Sequence, residues 1–294
     1  MLTDSQGVQF PPIRRLGPAD LRACAALAID RGWLPEKSKW SLLLDTAEVF
    51  GIDAPDGGLA GSVTLARYGR EHASVGMMLV AARYGRRGLG RALMTHLLDA
   101  AGDATITLFA TDMGRPLYES LGFKPVGRSA SFVGTFRPAR ADSAGAPGRT
   151  TGTTRTATDA DMPSLLALDR EAFGADRCDF IRRLPSFAER ILISRTFHAD
   201  SAYAAAWRNG PTTTVIGPVI APDAATAEQL IAELAADARG PVRLDLDPDR
   251  PELPAWAEAH GLPLTGRNTV MAYGTWDPPG DRARIFTPIT VALT

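Results

Sequence analysis

Apolar and polar positions along the first 136 residues follow a helical period in some stretches and a strand period in others. Residues 18–28, PADLRACAALA, carry apolar residues at helical spacing with Asp20 in the first turn, which predicts a helix. Residues 39–50, KWSLLLDTAEVF, predict a second helix or a helix pair, and DAPDGG at 53–58 predicts a turn. LAGSVTLARYG at 59–69 alternates, and HASVGMMLVAA at 72–82 is more continuously apolar; both predict strands. Residues 85–102, GRRGLGRALMTHLLDAAG, place Leu89, Leu93, Leu97 and Leu98 on a helix closed by Gly102. ATITLFAT at 104–111 predicts a strand. MGRPLYESLGF at 113–123 predicts a short helix with Gly122 as its C-terminal cap, and KPVGRSASFVG at 124–134 predicts a final strand. This order of elements points to an α+β or α/β domain built in layers.

Residues 137–152, RPARADSAGAPGRTTG, lose all apolar periodicity and are rich in Ala, Gly, Pro and Thr, the composition of a linker. They cut the chain into two nearly equal halves, which invites a test for an internal repeat. At an offset of 141, Arg14 meets Arg155, Ala19 meets Ala160, Asp20 meets Asp161 and Leu27 meets Leu168. The same offset sets GMMLVAAR from Gly76 against GPVIAPDA from Gly217. An offset of 139 sets ESLGFKPVGR from Glu119 against EAHGLPLTGR from Glu258. The chain therefore reads as a duplicated domain: 8–136, a linker at 137–152, and 153–294.

Composition narrows the function classes. With 45% apolar and 22% charged residues there is material for a buried core. A formal net charge of −1 offers no general attraction to nucleic acid or to an anionic membrane surface, so neither is expected as a partner. No stretch approaches the ~18 apolar residues of a membrane span, and the N-terminus has no apolar core of signal-peptide length. Cys24 and Cys178 lie far apart without metal-ligand spacing, which suggests reduced thiols, no metal and a cytoplasmic protein, monomeric or homodimeric.

The chemistry concentrates in RYGRRGLGRALM, residues 83–94. A glycine-rich turn feeding a helix presents unpaired backbone N–H groups and the positive end of the helix dipole, an anion site suited to phosphate. Gly88 and Gly90 permit close backbone approach, while Arg86, Arg87 and Arg91 bring charge. A Walker loop requires a Lys-Ser/Thr pair and a Rossmann fingerprint requires GxGxxG with a later acidic residue; neither is present. The alternative reading of the turn is a solvated, basic helix start.

MLVAARYGRRGLGRALM, followed by RPLYESLGF one helix and one strand later, resembles the GNAT superfamily of N-acetyltransferases across residues 13 to about 134. One position departs from the family pattern: where Arg or Gln usually stands three residues before the first glycine of the pair, this chain has Gly85, with Arg86 beside it. The resemblance implies two tandem GNAT-like domains of α+β class, each a mixed central sheet flanked by helices. It implies acetyl-CoA as co-substrate, with its pyrophosphate on Arg86, Arg87, Gly88, Leu89, Gly90 and Arg91. Its pantetheine would lie along Met78, Leu79 and Val80, whose strand would splay from its neighbour. Tyr118 takes the family's general-acid position; its other reading is a core aromatic. The central strand lacks the Glu that serves many relatives as base. Asp112 is the candidate in its place, with a turn or cap role as the alternative, and Thr111 stands where many relatives have Asn. Glu71 and His72 fall at a hairpin, and His96 falls among packing leucines. Trp33, Glu36 and Trp40 fall on the acceptor side, where they would suit a cationic amine or pack helices.

In the second half IAPDAATAEQLI, residues 220–231, stands opposite the glycine loop with no glycine and with Asp223 and Glu228, and Ala257 stands opposite Tyr118. A degenerate domain that binds no acetyl-CoA is expected there. The whole implies an N-acetyltransferase acting on a primary amine of a small molecule or peptide. Two alternatives stand beside it, an N-acyltransferase using a longer acyl-CoA and a non-catalytic CoA-binding regulatory module.

Overall fold

The structure, a computed structural model, describes residues 2–3, 7–138, 153–196 and 199–293. Beyond its first two residues the predicted linker lies outside the described residues. In the first half, β1 (Leu2–Thr3) and β2 (Gln9–Phe10) pair with each other ahead of β3 (Arg14–Leu16), α1 (Leu21–Asp30) and α2 (Lys37–Thr46). The helix predicted for KWSLLLDTAEVF ends at Thr46, and its remainder forms β4 (Glu48–Asp53). Val49, Phe50 and Ile52 are β-branched or aromatic, fit a pleated buried surface and are all buried.

The chain continues through β5 (Leu59–Tyr68), β6 (His72–Val80), α3 (Leu89–Ala101), β7 (Thr105–Ala110), α4 (Arg115–Ser120) and β8 (Lys124–Gly134). The burial of β5 and β6 reverses what their sequences suggest. In β5, Ser62 and Thr64 are as inaccessible as Val63 and Leu65, because both α1 and α3 pack against this strand. In the more apolar β6, buried and partly exposed positions alternate over its second half.

The second half repeats the order with β9 (Thr153–Thr156), α5 (Met162–Phe173), α6 (Cys178–Phe187), β10 (Ala188–Thr196), β11 (Ala199–Asn209), β12 (Thr213–Ile220), α7 (Ala224–Ala236), β13 (Val242–Leu246), α8 (Glu252–Ala259) and β14 (Leu264–Tyr273). A short strand, β15 (Ile285–Thr287), follows. The duplication is visible in strand register. Ser62 pairs with Leu79 and Leu65 with Val75; 141 residues on, Tyr203 pairs with Ile220 and Ala206 with Ile216. The recurring Arg and Asp have one job in both halves. Arg14 and Asp20 form an ion pair at 2.8 Å, Arg155 and Asp161 one at 2.6 Å. The same carboxylates accept from the backbone N–H of Gly17 and Thr158, tying down the start of the first helical turn.

The chain forms two units that are not contiguous halves. Unit 1 is Met1–Val126 with Val270–Trp276 and Ala292–Thr294; unit 2 is Gly127–Thr269 with Asp277–Val291. Each half gives its last strand away. In unit 1 the sheet runs β3-β4-β5-β6-β7 and is completed by the end of β14. In unit 2 it runs β9-β10-β11-β12-β13 and is completed by β8, paired antiparallel from Ala130↔Leu246 to Gly134↔Val242. Both are mixed sheets, since β6–β7 and β12–β13 are parallel and the other registered pairs antiparallel. Ala130 and Phe132 of β8 sit in the unit 2 core with Leu230, Ile231 and Leu234 of α7. In unit 1, Leu93, Met94 and Leu97 of α3 are fully buried, as are Ile106 and Leu108 of β7.

Candidate active site

In unit 1 the two parallel strands part. β6 pairs with β7 from His72↔Thr105 only to Val75↔Leu108, while its pairing with β5 continues to Val80. Residues 76–80, which include Met78, Leu79 and Val80, thus run on without β7 and leave a wedge. The divergence coincides with a bulge: β6 carries one residue more than β5 between Thr64↔Gly76 and Ser62↔Leu79, and Met77 there has φ of 47°.

The wedge opens towards the glycine turn. Arg86 has φ of 59° and Gly88 φ of 88°, with Arg87 between them. Alternating left-handed residues turn successive amides towards one concavity, and α3 adds the positive end of its dipole. Among the described residues, Met77 and Arg86 are the non-glycine residues with left-handed φ. Backbone strain of this kind concentrates at functional sites, and here both instances fall on the wedge and its turn.

The two glycines serve different ends. A Cβ on Gly88 would meet nothing within 4 Å, so the space over the turn is open. A Cβ on Gly90 would stand 3.0 Å from Met78 Cε and 3.3 Å from Leu117 Cδ2. Gly90 is therefore small because α3 packs closely on β6 and α4, whereas the space beside Gly88 is open. Leu89 is buried, so only its backbone is offered to the turn. Arg86 is exposed; Arg87 lies over the Tyr84 ring at 5.5 Å, and Arg91 donates to Ser120 Oγ at 2.6 Å.

Tyr118 on α4 is buried, its ring 5.9 Å from Phe123. Burial pushes the phenol up to about 12. Asp112 is exposed, and the turn before α4 is held by Thr111, whose Oγ1 accepts from Gly114 N at 3.3 Å. The alternative cap role thus falls to Thr111, and no hydrogen bond or ion pair among the described residues joins Asp112 to Tyr118. Glu71 is exposed, and His96 packs edge-on against Phe50 at 4.7 Å.

Only one of the three acceptor-side residues faces solvent. Trp33 is 41% exposed. Trp40 is fully buried on the packed face of α2, and Glu36 is buried and paired with Lys39. Their spacing serves helix packing: an indole with no exposed surface and a carboxylate already neutralised leave no free cation site at Glu36 and Trp40.

In unit 2 the corresponding features are filled or missing. β12 pairs with β13 only at Thr214↔Val242 and Val215↔Arg243, so a wedge forms there too. β15 occupies it, pairing Thr287 with Val219 and Ile285 with Ile220, the counterparts of Met78 and Leu79. At the start of α7 the Asp223 carboxylate accepts from Thr226 N at 2.7 Å, placing a negative charge where the first half has its glycine turn. Ala257 replaces Tyr118 in matching geometry: Phe123 N donates to Tyr118 O at 3.1 Å, and Leu262 N to Ala257 O at 2.9 Å. Sequence reasoning missed the Met77 bulge and β15, because a left-handed methionine and a strand laid into a neighbouring gap leave no local composition signal. Among the described residues no group of His, Cys, Asp and Glu is arranged to hold a metal ion, and no helix is long and apolar enough to cross a membrane.

Known proteins resemble this chain in sequence and in fold. Residues 46–125 and residues 165–287 each match a family described as acetyltransferase (GNAT) domain. An uncharacterized N-acetyltransferase of Bacillus subtilis, YitH, is 29% identical over 239 residues, 79% of each chain. A putative acetyltransferase from Pyrococcus horikoshii superposes with a TM-score of 0.79 at 18% identity, covering 96% of this chain and 95% of that one. A tandem GNAT protein from the clavulanic acid biosynthesis pathway superposes with a TM-score of 0.64 at 15% identity, covering 90% and 99%. With two such domains in one repeat-related chain, the protein belongs to the GNAT acetyltransferase family as a tandem member.

Proposed function

We propose that unit 1 catalyses transfer of an acetyl group from acetyl-CoA to a primary amine of a small molecule or peptide. The observation that carries this reading is the wedge at residues 76–80, which leads from the strained, open glycine turn at one end to the closed end of the sheet at the other. In this reading the amides of residues 86–90 cradle the pyrophosphate, with the exposed Arg86 beside them, and Met78, Leu79 and Val80 offer a strand edge to the amides of pantetheine. Acetyl-CoA supplies the activated acetyl thioester. A backbone N–H of that edge polarises the carbonyl. Tyr118 holds its proton on Oη at neutral pH and delivers it to the departing sulfur. Asp112 is exposed, and in this reading water carries the amine's proton to bulk solvent.

Unit 2, in the same reading, binds no acetyl-CoA. β15 takes the place of pantetheine, Asp223 opposes phosphate, and Ala257 supplies no acid. A cytoplasmic setting suits the free thiols Cys24 and Cys178.

Release of free thiol from acetyl-CoA, measured across polyamines, amino acids, aminoglycosides and peptides, tests the proposal. Amine-dependent thiol release supports it. Tight binding of acetyl-CoA with no turnover on any amine would make the chain a non-catalytic module instead, and faster turnover with a longer acyl-CoA would reassign the donor.

A further inference from the structure

The repeat places a glycine at the same point of both halves, Gly76 and Gly217, and neither has left-handed φ. The C-terminal segment explains both. In unit 2 a Cβ on Gly217 would stand 2.1 Å from Pro288 O, just after β15 enters the wedge. In unit 1 a Cβ on Gly76 would stand 2.6 Å from Ala292 Cβ and 2.8 Å from Ala292 Cα. Each glycine is where this segment crosses a strand at the closed end of a wedge.

The unit 1 crossing is well built. Ala292 is 3% exposed and Leu293 fully buried. Ser74 Oγ donates to Ala292 O at 3.4 Å and also shares a 2.8 Å bond with the Tyr68 hydroxyl. Gly76 is the first residue of β6 beyond its last pair with β7, Val75↔Leu108, so Ala292 packs over one face of β6 beside the point where the wedge closes.

The rest follows from direction, and rests on the proposed function. The anion-binding turn lies beyond Val80, so a CoA thioester anchored there runs back along Val80, Leu79 and Met78, and its acyl end arrives at the vertex. We infer that Ala292 is the wall against which the acyl group ends, and that it restricts the chain to acetyl. The C-terminal segment would then have two uses: it fills the wedge of unit 2 and sets the depth of the wedge of unit 1.

Direct binding tests this without knowledge of the amine. Calorimetry with acetyl-CoA, propionyl-CoA and butyryl-CoA on the full chain gives the preference for acetyl. One methylene in a fitted apolar pocket is worth roughly 10–200-fold. Wild type should bind propionyl-CoA at least about tenfold more weakly than acetyl-CoA, and Ala292→Gly should bring the two within about threefold of each other. Ala292→Val should weaken acetyl-CoA itself. If Ala292→Gly does not fold by its melting curve, deletion of residues 292–294 is read in the same way. An unchanged acetyl-to-propionyl ratio in a folded variant, or a wild type indifferent to chain length, would overturn the inference while leaving the proposed function standing. No binding of any acyl-CoA to wild type would instead remove the proposed function.

Discussion

Replacing Tyr118 by Phe isolates one proton. The ring stays, so its packing on Phe123 at 5.9 Å stays. With the ring and its packing kept, the variant should melt close to wild type. The kinetic effect is different in kind. A phenol held at about 12 is a weak acid for a thiolate whose reference value is ~8.5, an uphill transfer of about 5 kcal/mol if the sulfur stayed in water. Desolvation of the sulfur in the site would raise the thiolate as well. Exclusion of water from the site would shift the leaving thiolate in the direction that eases this transfer. Loss of the hydroxyl should lower the chemical step on the order of 100-fold, the low end for a general acid and about 2.7 kcal/mol, with acetyl-CoA affinity little changed. The assay is single-turnover acetylation by rapid quench, because slow product release would hide the change in steady state. A Phe variant that acetylates at the wild-type rate in a single turnover would refute the acid role and leave Tyr118 as a packing residue.

Three further outcomes follow from the same structure. Gly88→Glu should abolish acetyl-CoA binding in a folded protein, since it puts a carboxylate into the open space over the turn and strains a residue at φ of 88°; retained affinity would contradict the phosphate cradle. Gly90→Glu should fail for a different reason, by forcing α3 off Met78 and Leu117, and should show a lowered melting temperature as well as lost binding. The guanidinium of Arg155 holds the Asp161 carboxyl well below the usual carboxylate range, and Arg14 lowers Asp20 in the same way. Both carboxyls are depressed in the folded state, so their contribution is complete above the unfolded value near 4 and is lost as pH falls through the folded values. Melting curves from pH 2 to 7 should therefore show an acid limb that Asp161→Asn reduces; identical limbs would remove the ion pair as its source.

Much of this was legible from sequence where local chemistry decides the structure. The glycine turn, α3, Gly122 as a helix cap and the Tyr118–Ala257 correspondence all rest on residues acting within a few positions of themselves. The repeat was legible for the same reason, since Asp20 and Asp161 each tie down their own helix start. What escaped was set by partners distant in the chain. Alternation in β5 predicts a strand with one wet face, but the packing of both α1 and α3 against it is a property of the fold. KPVGRSASFVG predicts a strand correctly, yet nothing in it says that Ala130 onward will pair with β13. Trp33 and Trp40 are indistinguishable by type, and only packing separates the exposed ring from the buried one.

The central claim is that one wedge takes acetyl-CoA and the other is filled by the chain itself. Titration calorimetry of acetyl-CoA into the intact protein tests it most directly. The account predicts one site per chain, lost in Gly88→Glu. Two equivalent sites per chain, or a single site that survives Gly88→Glu, would contradict it.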